Sequence, residues 1–250
     1  MSDDAANDAA GAAVALVTGA GTGIGAACAR RLAADGFRVA VHFRSSAAAA
    51  NALAAELPDA FAVQADLAVP TEIEALVAKI AETAGRLDVL VNNAGLNVNA
   101  PTSFMKLADY DAVADTARGT WYLTKLVLRK FMLRKRRGRI INISSVVGST
   151  GNPGQIPYTM VKAGLDALTK SLAKEVAGTE ILVNSVAPGF VDTAMTSELP
   201  PAIRDQVLSL VPLGRIGRPE EVADVVSFLA SRGTYVHGSV VHVNGGMYGG

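Results

Sequence analysis

Short apolar runs alternate with amphipathic stretches along almost the whole chain. Seven apolar runs predict β-strands, at residues 14–18, 37–43, 61–65, 89–91, 140–143, 182–186 and 240–243. Helical patterns lie between or beside them, at residues 26–36, 47–57, 71–84, 110–137, 158–177, 201–210 and 219–229. The strands are apolar at successive positions, as expected where helices cover both faces of a sheet. Strands that alternate with helices pair in parallel through right-handed crossovers. We therefore predict an α/β fold with a parallel sheet.

The alternating pattern begins only after the N-terminal tail. Residues 1–12 have no periodicity and are expected to form a disordered tail. Residues 13–250 contain no repeat, linker or low-complexity break, so we expect one domain there. The acidic N-terminus lacks the features of a signal peptide, and no apolar run reaches the length of a membrane span. The polar stretch at residues 195–212 is expected to be a lid over the substrate.

Composition narrows the function classes. The chain has 250 residues, 23 Lys and Arg against 23 Asp and Glu, and one cysteine, Cys28. A zero net charge argues against a surface built for nucleic acid, and a lone cysteine excludes an internal disulfide. His42, His237 and His242 are scattered without metal-ligand spacing, so we expect packing or surface roles for them and no metal. A cytoplasmic protein that binds neither membrane nor nucleic acid is the expectation.

Polar and glycine-rich segments follow several of the predicted strands. They are the glycine turn at residues 19–25, the Asn-Asn-Ala-Gly at 92–95, Ser145, and the Pro-Gly at 188–189. Ligands of open parallel sheets bind at the carboxyl ends of the strands, so these segments should converge on one site. A glycine turn between a strand and a helix offers backbone amides to phosphate.

Ser145, Tyr158 and Lys162 suggest proton-transfer chemistry at that site. Tyr158 and Lys162 are four residues apart, which places them on one face of a helix. A nearby ammonium favours the phenolate and lowers the pKa of a tyrosine. The Ser145 hydroxyl can hydrogen-bond the same substrate oxygen. A tyrosine and lysine at this spacing are more often a surface pair, so the pattern counts only beside a redox cofactor.

The order of these motifs carries a family resemblance. Thr18, Gly19, Gly23 and Gly25 give Thr-Gly-x-x-x-Gly-x-Gly, and the segments listed above follow in sequence. From about residue 14 to the C-terminus, the chain resembles the short-chain dehydrogenase/reductase family. Within it, GRIINISSVVGSTGNPGQIPY, VNSVAPGFVDTAMT and the ending VNGGMYGG are most similar to 3-oxoacyl-acyl-carrier-protein reductases, enzymes of fatty acid biosynthesis. The resemblance implies a seven-stranded Rossmann sheet, NAD(P), and a homotetramer built on two long helices and the last strand.

The resemblance also implies roles for individual residues. Tyr158 is expected as the acid/base, Lys162 as the residue that lowers its pKa and binds the nicotinamide ribose, and Ser145 as the residue that orients the substrate carbonyl. The glycines are expected to shape a pyrophosphate turn, Asp66 to bind adenine, and Val191 and Thr193 to hold the carboxamide. The full set of implied cofactor contacts is Gly19, Thr22, Gly23, Ile24, Gly25, Asp66, Leu67, Asn93, Ala94, Gly95, Tyr158, Lys162, Pro188, Gly189, Val191 and Thr193.

The end of the second strand favours NADPH over NADH. An acid there would bind the ribose 2′-hydroxyl and repel a 2′-phosphate, but here Phe43 is followed by Arg44 and Ser45. A guanidinium and a hydroxyl suit a phosphate, although Arg44 could instead be a solvated loop residue. Thr22 argues the other way, since many related reductases have a second arginine at its position.

One expected catalytic residue is missing. Related enzymes have an asparagine in the helix before the serine-bearing strand. The backbone carbonyl of this asparagine positions a water that relays protons from solvent to the lysine. Alignment on residues 123–125 places Thr116 there, or Ala117 if the alignment shifts by one. Threonine keeps the backbone carbonyl, and its hydroxyl can bond back along the helix. We expect a working but slowed relay. The alternative is a cofactor-binding subunit with little catalysis of its own.

Residues 129–139, RKFMLRKRRGR, are strongly basic within a neutral protein. Such a patch could steer an acidic acyl carrier protein toward the pocket, or could simply be a solubilising helix end. By resemblance, Arg136 and Lys174 are the carrier contacts. The predicted function is NADPH-dependent reduction of a 3-oxoacyl thioester, linked to carrier protein or CoA, to the 3-hydroxyacyl thioester. The alternative within the family is a reductase or dehydrogenase of another ketone, alcohol or sugar.

Overall fold

Seven parallel strands form one sheet in the part of the chain that the computed structural model describes, which is residues 11–193, 205–206 and 208–249. In chain order the strands are β1 (Val14–Val17), β2 (Arg38–Phe43), β3 (Phe61–Gln64), β4 (Val89–Asn92), β5 (Arg137–Ile143), β6 (Glu180–Pro188) and β7 (Val240–Val243). Their order across the sheet is β3-β2-β1-β4-β5-β6-β7. The predicted seven-stranded Rossmann fold is confirmed.

Helices cover both faces of this sheet. They are α1 (Gly23–Ala34), α2 (Ala47–Glu56), α3 (Pro70–Ala84), α4 (Leu107–Val127), α5 (Val147–Thr150), α6 (Ile156–Glu175) and α7 (Pro219–Ser231). Successive strand residues point to opposite faces. Ala15 and Val17 of β1 accordingly pack in the cluster that contains α1, α2 and α7 residues. Val14 and Leu16 pack in the cluster of α3, α4 and α6.

The helix predicted at residues 110–137 ends earlier than expected, and its last five residues were assigned wrongly. α4 ends at Val127, and a π-helical turn, Leu128–Met132, follows before β5 begins at Arg137. The basic residues there favour a helix end locally, but Arg137 pairs with Glu180 of β6. That pairing is a long-range contact, which a local pattern does not contain.

The N-terminus of α3 also differs from its prediction. Thr71 and Glu74 had the spacing of a capping box. The helix instead begins at Pro70, and no side chain caps it. Glu72 accepts a hydrogen bond from the backbone amide of Asp66, at 2.7 Å, and so ties the helix to the end of β3.

Some predictions lie outside the described residues. They concern most of the tail at residues 1–12, half of the helix at 201–210 and most of the lid at 195–212. Among the helices that the structure describes, none has the length and apolarity that a membrane crossing requires.

Candidate active site

A cavity of about 530 Å³ opens at the carboxyl edge of the sheet. It is lined by residues from the ends of β1, β2, β3, β4, β5 and β6. Every residue predicted for catalysis or cofactor binding lines it, namely Gly19, Thr22, Gly23, Ile24, Gly25, Arg44, Ser45, Asp66, Leu67, Asn93, Ala94, Gly95, Thr116, Ser145, Tyr158, Lys162, Pro188, Gly189, Val191 and Thr193. The topology of parallel strands brings these distant segments together.

The glycine turn packs too tightly for a side chain at Gly25. A Cβ on Gly25 would lie 2.3 Å from the Gly19 carbonyl oxygen and 2.5 Å from Nδ2 of Asn93. Asn93 fixes the turn by donating from Nδ2 to the carbonyls of Thr18 and Gly19, at 2.9 and 3.1 Å. α1 starts directly from the turn with no side-chain cap at Thr22. Its first amides can therefore bind an anion such as a pyrophosphate.

The end of β2 presents a cation beside this turn. Arg44 is exposed, and its guanidinium forms no ion pair with any described residue. Ser46 lies against the turn, since a Cβ on Gly21 would collide with its hydroxyl oxygen. A guanidinium and hydroxyls next to a pyrophosphate site have the right chemistry for a further phosphate.

Lys162 is buried on α6, beneath the cavity. Its side chain is 4% exposed, and Nζ donates to the Ile143 carbonyl at 2.7 Å. Nζ also lies 5.4 Å from the centre of the Tyr158 ring. Burial lowers the pKa of Lys162 to about 8, and the charge of Asp166, one helical turn further on, opposes that shift. The ammonium therefore loses its proton nearer to neutral pH than an exposed lysine does.

Tyr158 shares the cavity with Ser145. Burial raises the pKa of the Tyr158 phenol, and a hydrogen bond with the Ser145 hydroxyl opposes the rise. The predicted net lowering of this pKa is therefore wrong for the chain by itself, because desolvation of the phenolate dominates. A protonated phenol beside a serine hydroxyl is an arrangement that can donate a proton to a carbonyl oxygen.

Thr116 lines the cavity on the α4 side, whereas the neighbouring Ala117 does not. The threonine is thus the residue that faces the site. Its hydroxyl donates to the Val113 carbonyl at 2.6 Å, as expected for a threonine that bonds back along its helix.

Several cavity residues were not predicted from the sequence. They include His42, Ala68, Leu96 and Ala112. Small apolar residues give no signal of a site. His42 had been assigned to packing because it has no histidine or cysteine partner. In the described part of the chain, no three His, Cys, Asp or Glu side chains come together as a metal site.

The two predicted carrier contacts lie at the opposite edge of the sheet. Arg136 immediately precedes β5, whose far end leads to Ser145, and about 3.3 Å per residue makes that separation about 20 Å or more. Lys174 lies at the end of α6, 16 positions after Tyr158, or about 24 Å along the axis. Both residues therefore lie about 20 Å or more from the catalytic residues of the same chain.

Comparisons with known proteins agree with this site. A family model described as enoyl-(acyl carrier protein) reductase matches residues 19–248. The 3-oxoacyl-[acyl-carrier-protein] reductase FabG of Staphylococcus aureus is 44% identical over 240 residues, which cover 94% of this chain and 97% of the relative. The 3-oxoacyl-[acyl-carrier-protein] reductase of Synechocystis sp. and the FabG of Aquifex aeolicus are both 45% identical, over 243 and 242 residues, again with 94% of this chain and 97% of the relative. With its parallel sheet, glycine turn and Ser-Tyr-Lys cavity, the chain belongs to the short-chain dehydrogenase/reductase family.

Proposed function

We propose that this protein is an oxidoreductase that reduces 3-oxoacyl thioesters to 3-hydroxyacyl thioesters with NADPH. The observation that carries the proposal is the single cavity that joins the glycine turn to Ser145, Tyr158 and Lys162. The three relatives of 44–45% identity, each a 3-oxoacyl-[acyl-carrier-protein] reductase by name, support the substrate class.

Ser145, Tyr158 and Lys162 each have a separate role in the proposed reaction. NADPH bound along the cavity supplies the hydride. Tyr158 gives its phenolic proton to the ketone oxygen as that oxygen gains negative charge, and the Ser145 hydroxyl hydrogen-bonds the same oxygen. Lys162 stabilises the resulting phenolate by its charge, and the phenol is then reprotonated from solvent past Thr116.

The end of β2 supports a preference for NADPH. The exposed Arg44 guanidinium, Ser45 and Ser46 lie next to the glycine turn, and no acid directly follows the strand. Arg44→Ala should therefore raise the KM for NADPH about tenfold or more and change the KM for NADH little, because only the former has a 2′-phosphate.

Docking of an acidic carrier at Arg136 and Lys174 is part of the proposal. Because both residues lie about 20 Å or more from the Ser145 of the same chain, the acyl arm of a docked carrier would have to cross that distance or reach a pocket of another subunit. We propose a homotetramer in the cytoplasm. Trp121 of α4 and Met160 of α6 support an assembly through these helices, because both are large apolar side chains that are about half exposed.

The first experiment measures NADPH oxidation with acetoacetyl thioester by the wild type and by Tyr158→Phe. We expect turnover in the wild type and a loss of at least a hundredfold in the variant, with NADPH binding retained, because the variant lacks the proton donor. Crotonyl thioester tests the enoyl reduction that the description of the family model names, and a panel of ketones and sugars tests the other family alternative. NADPH binding without turnover of any of these would indicate a cofactor-binding subunit and contradict the proposal.

Carrier docking is tested by the same assay with the acyl group on carrier protein or on a short thioester. Arg136→Glu and Lys174→Glu should raise the KM for the carrier-linked substrate alone. Arg232→Glu is the control, because Arg232 is also exposed but follows α7 on the other face of the sheet. Equal effects of all three variants would indicate a general effect of charge.

A further inference from the structure

His42 is buried directly beneath the glycine turn. It is the penultimate residue of β2 and is 1% exposed. Its backbone carbonyl accepts the amide of Ala20 at 2.8 Å, and its Nδ1 accepts the amide of Gly19 at 3.1 Å. One residue therefore binds two successive amides of the turn, and it also lines the cavity.

The imidazole reaches a third segment through its other nitrogen. Nε2 lies 3.0 Å from the carbonyl oxygen of Ala65, the residue that follows β3 and precedes Asp66. Since Nδ1 accepts a hydrogen bond, the ring proton must reside on Nε2, where it donates to Ala65. The two bonds require the neutral ring in one tautomer, because a protonated ring has no acceptor for Gly19.

These two bonds join the parts of the site that would hold different parts of a dinucleotide. Gly19 opens the turn proposed for the pyrophosphate. Arg44 lies two residues after His42, at the proposed 2′-phosphate position, and Asp66 directly follows Ala65 at the proposed adenine position. We propose that His42 is a positioning residue of the cofactor site, which holds the glycine turn in register with the ends of β2 and β3 and thereby sets the affinity for the adenosine half of the cofactor. This inference rests on the proposed NADPH-dependent function.

Loss of the His42 imidazole should weaken cofactor binding and leave the chemical step unaffected. His42 does not touch the side chains proposed for proton transfer. It lies on β2, three strand positions from β5, and a spacing of about 4.8 Å per strand makes that separation about 14 Å. Loss of the imidazole would leave the partly buried Gly19 amide and the buried Ala65 carbonyl unpaired, so the turn would leave the conformation that binds phosphate.

Three substitutions separate the two hydrogen bonds. His42→Phe keeps a flat ring but removes both. His42→Asn keeps an acceptor near the Nδ1 position, within reach of Gly19. His42→Gln places its amide near the Nε2 position and can serve Ala65 alone. We expect the Kd for NADPH, measured by fluorescence titration, to rise at least tenfold in the Phe and Gln variants and less than threefold in the Asn variant. The kcat should stay within twofold in each variant that binds cofactor.

His237 provides a matched control. Its Nδ1 accepts the amide of Val183 at 3.2 Å and its Nε2 lies 2.8 Å from the Ala173 carbonyl, which is the same bonding pattern away from the cavity. His237→Phe should leave the Kd for NADPH unchanged.

An unchanged Kd in folded His42→Phe would overturn the inference, as would an equal rise in His237→Phe. If His42→Phe does not fold, the comparison of Asn with Gln decides, and equal Kd values for these two would overturn the inference. The titration needs no acyl substrate. Failure of the proposed function therefore appears as absent turnover in the wild type, and failure of this inference appears only in the Kd values of the variants.

Discussion

At the scale of single residues, Thr116 offers the clearest test of the proton path. Its hydroxyl is committed to the Val113 carbonyl, so Thr116→Val should change kcat less than about twofold. Thr116→Asn should raise kcat about two- to tenfold, because its carboxamide can add a second hydrogen bond to the relaying water that the backbone carbonyl positions. Ala117→Asn is the control, since Ala117 does not line the cavity in the described part of the chain. Steady-state kinetics at saturating NADPH give the comparison. A fall in kcat in the valine variant would show that the hydroxyl itself relays protons.

The pKa of Lys162 predicts how kcat/KM falls at alkaline pH, the alkaline limb of the pH profile. Its pKa is lowered to about 8, so the ammonium that stabilises the Tyr158 phenolate is lost as the pH rises through about 8. We expect kcat/KM to fall above that pH. Asp166 raises the pKa of Lys162, so Asp166→Asn should move the limb to lower pH. The burial-raised pKa of Tyr158 places its own titration above this limb. A limb that does not move in the Asn variant would contradict the assignment to Lys162.

At the scale of elements, the contact of α4 with the end of β3 depends on Gly119. A Cβ at this position would lie 1.9 Å from the backbone carbonyl oxygen of Leu67, which cannot rotate away as a side chain could. Gly119→Ala should destabilise the protein by about 1–3 kcal/mol, measured by urea unfolding. Gly164→Ala is the matched control in α6, where no described atom lies near the new Cβ. It should stabilise by up to about 1 kcal/mol through helix propensity.

The strands and most helices along the chain could be predicted from the sequence because each is encoded locally. Apolar runs, helical periods and glycine turns predicted all seven strands and the parallel sheet. The larger error came where a distant partner decides the structure. β5 begins at Arg137 because it pairs with Glu180, which the local pattern does not contain. The start of α3 is local instead, since Pro70 lies in its first turn and Glu72 bonds the amide of Asp66 only six positions before it.

Some residues of the candidate site could be predicted from the sequence and others could not. Motif residues such as Ser145, Tyr158 and Lys162 could be placed because parallel strands deliver their carboxyl ends to one edge. His42 could not, since its hydrogen bonds go to backbone atoms 23 positions away on both sides. A hydrogen bond to a main-chain atom does not require any particular residue type as the partner, so the sequence gives no sign of it. The predicted pKa of Tyr158 failed for a related reason, because burial is a property of the assembled fold.

At the scale of the whole molecule, the buried imidazole links stability to pH. Burial lowers the pKa of His42 to about 4, opposed by its bond to Ala65 and by the charge of Asp66. The unfolded chain binds this proton below about pH 6.5. Between about pH 6.5 and 4 the unfolded state therefore holds more protons than the folded state, and stability is lost as the pH falls. The loss should reach about 3 kcal/mol.

The measurement is the free energy of unfolding at several pH values for the wild type and His42→Asn. Carboxylates titrate in both proteins, so the difference between their slopes isolates the imidazole. Parallel slopes from pH 6.5 to 4 would contradict the prediction, because they would mean that the ring is protonated in the folded protein.

The π-helical turn at Leu128–Met132 has a consequence for chain length. Each residue of an α-helix rotates the chain by about 100°, so deletion of one residue from α4 would rotate Thr116 relative to buried Phe131 and Met132. A π turn contains one residue more than the α turn it replaces. Removal of a residue there would restore an α turn and leave both ends of the helix in phase. This turn, directly after α4, is therefore the place where the deletion of one residue can be absorbed without displacing the active site.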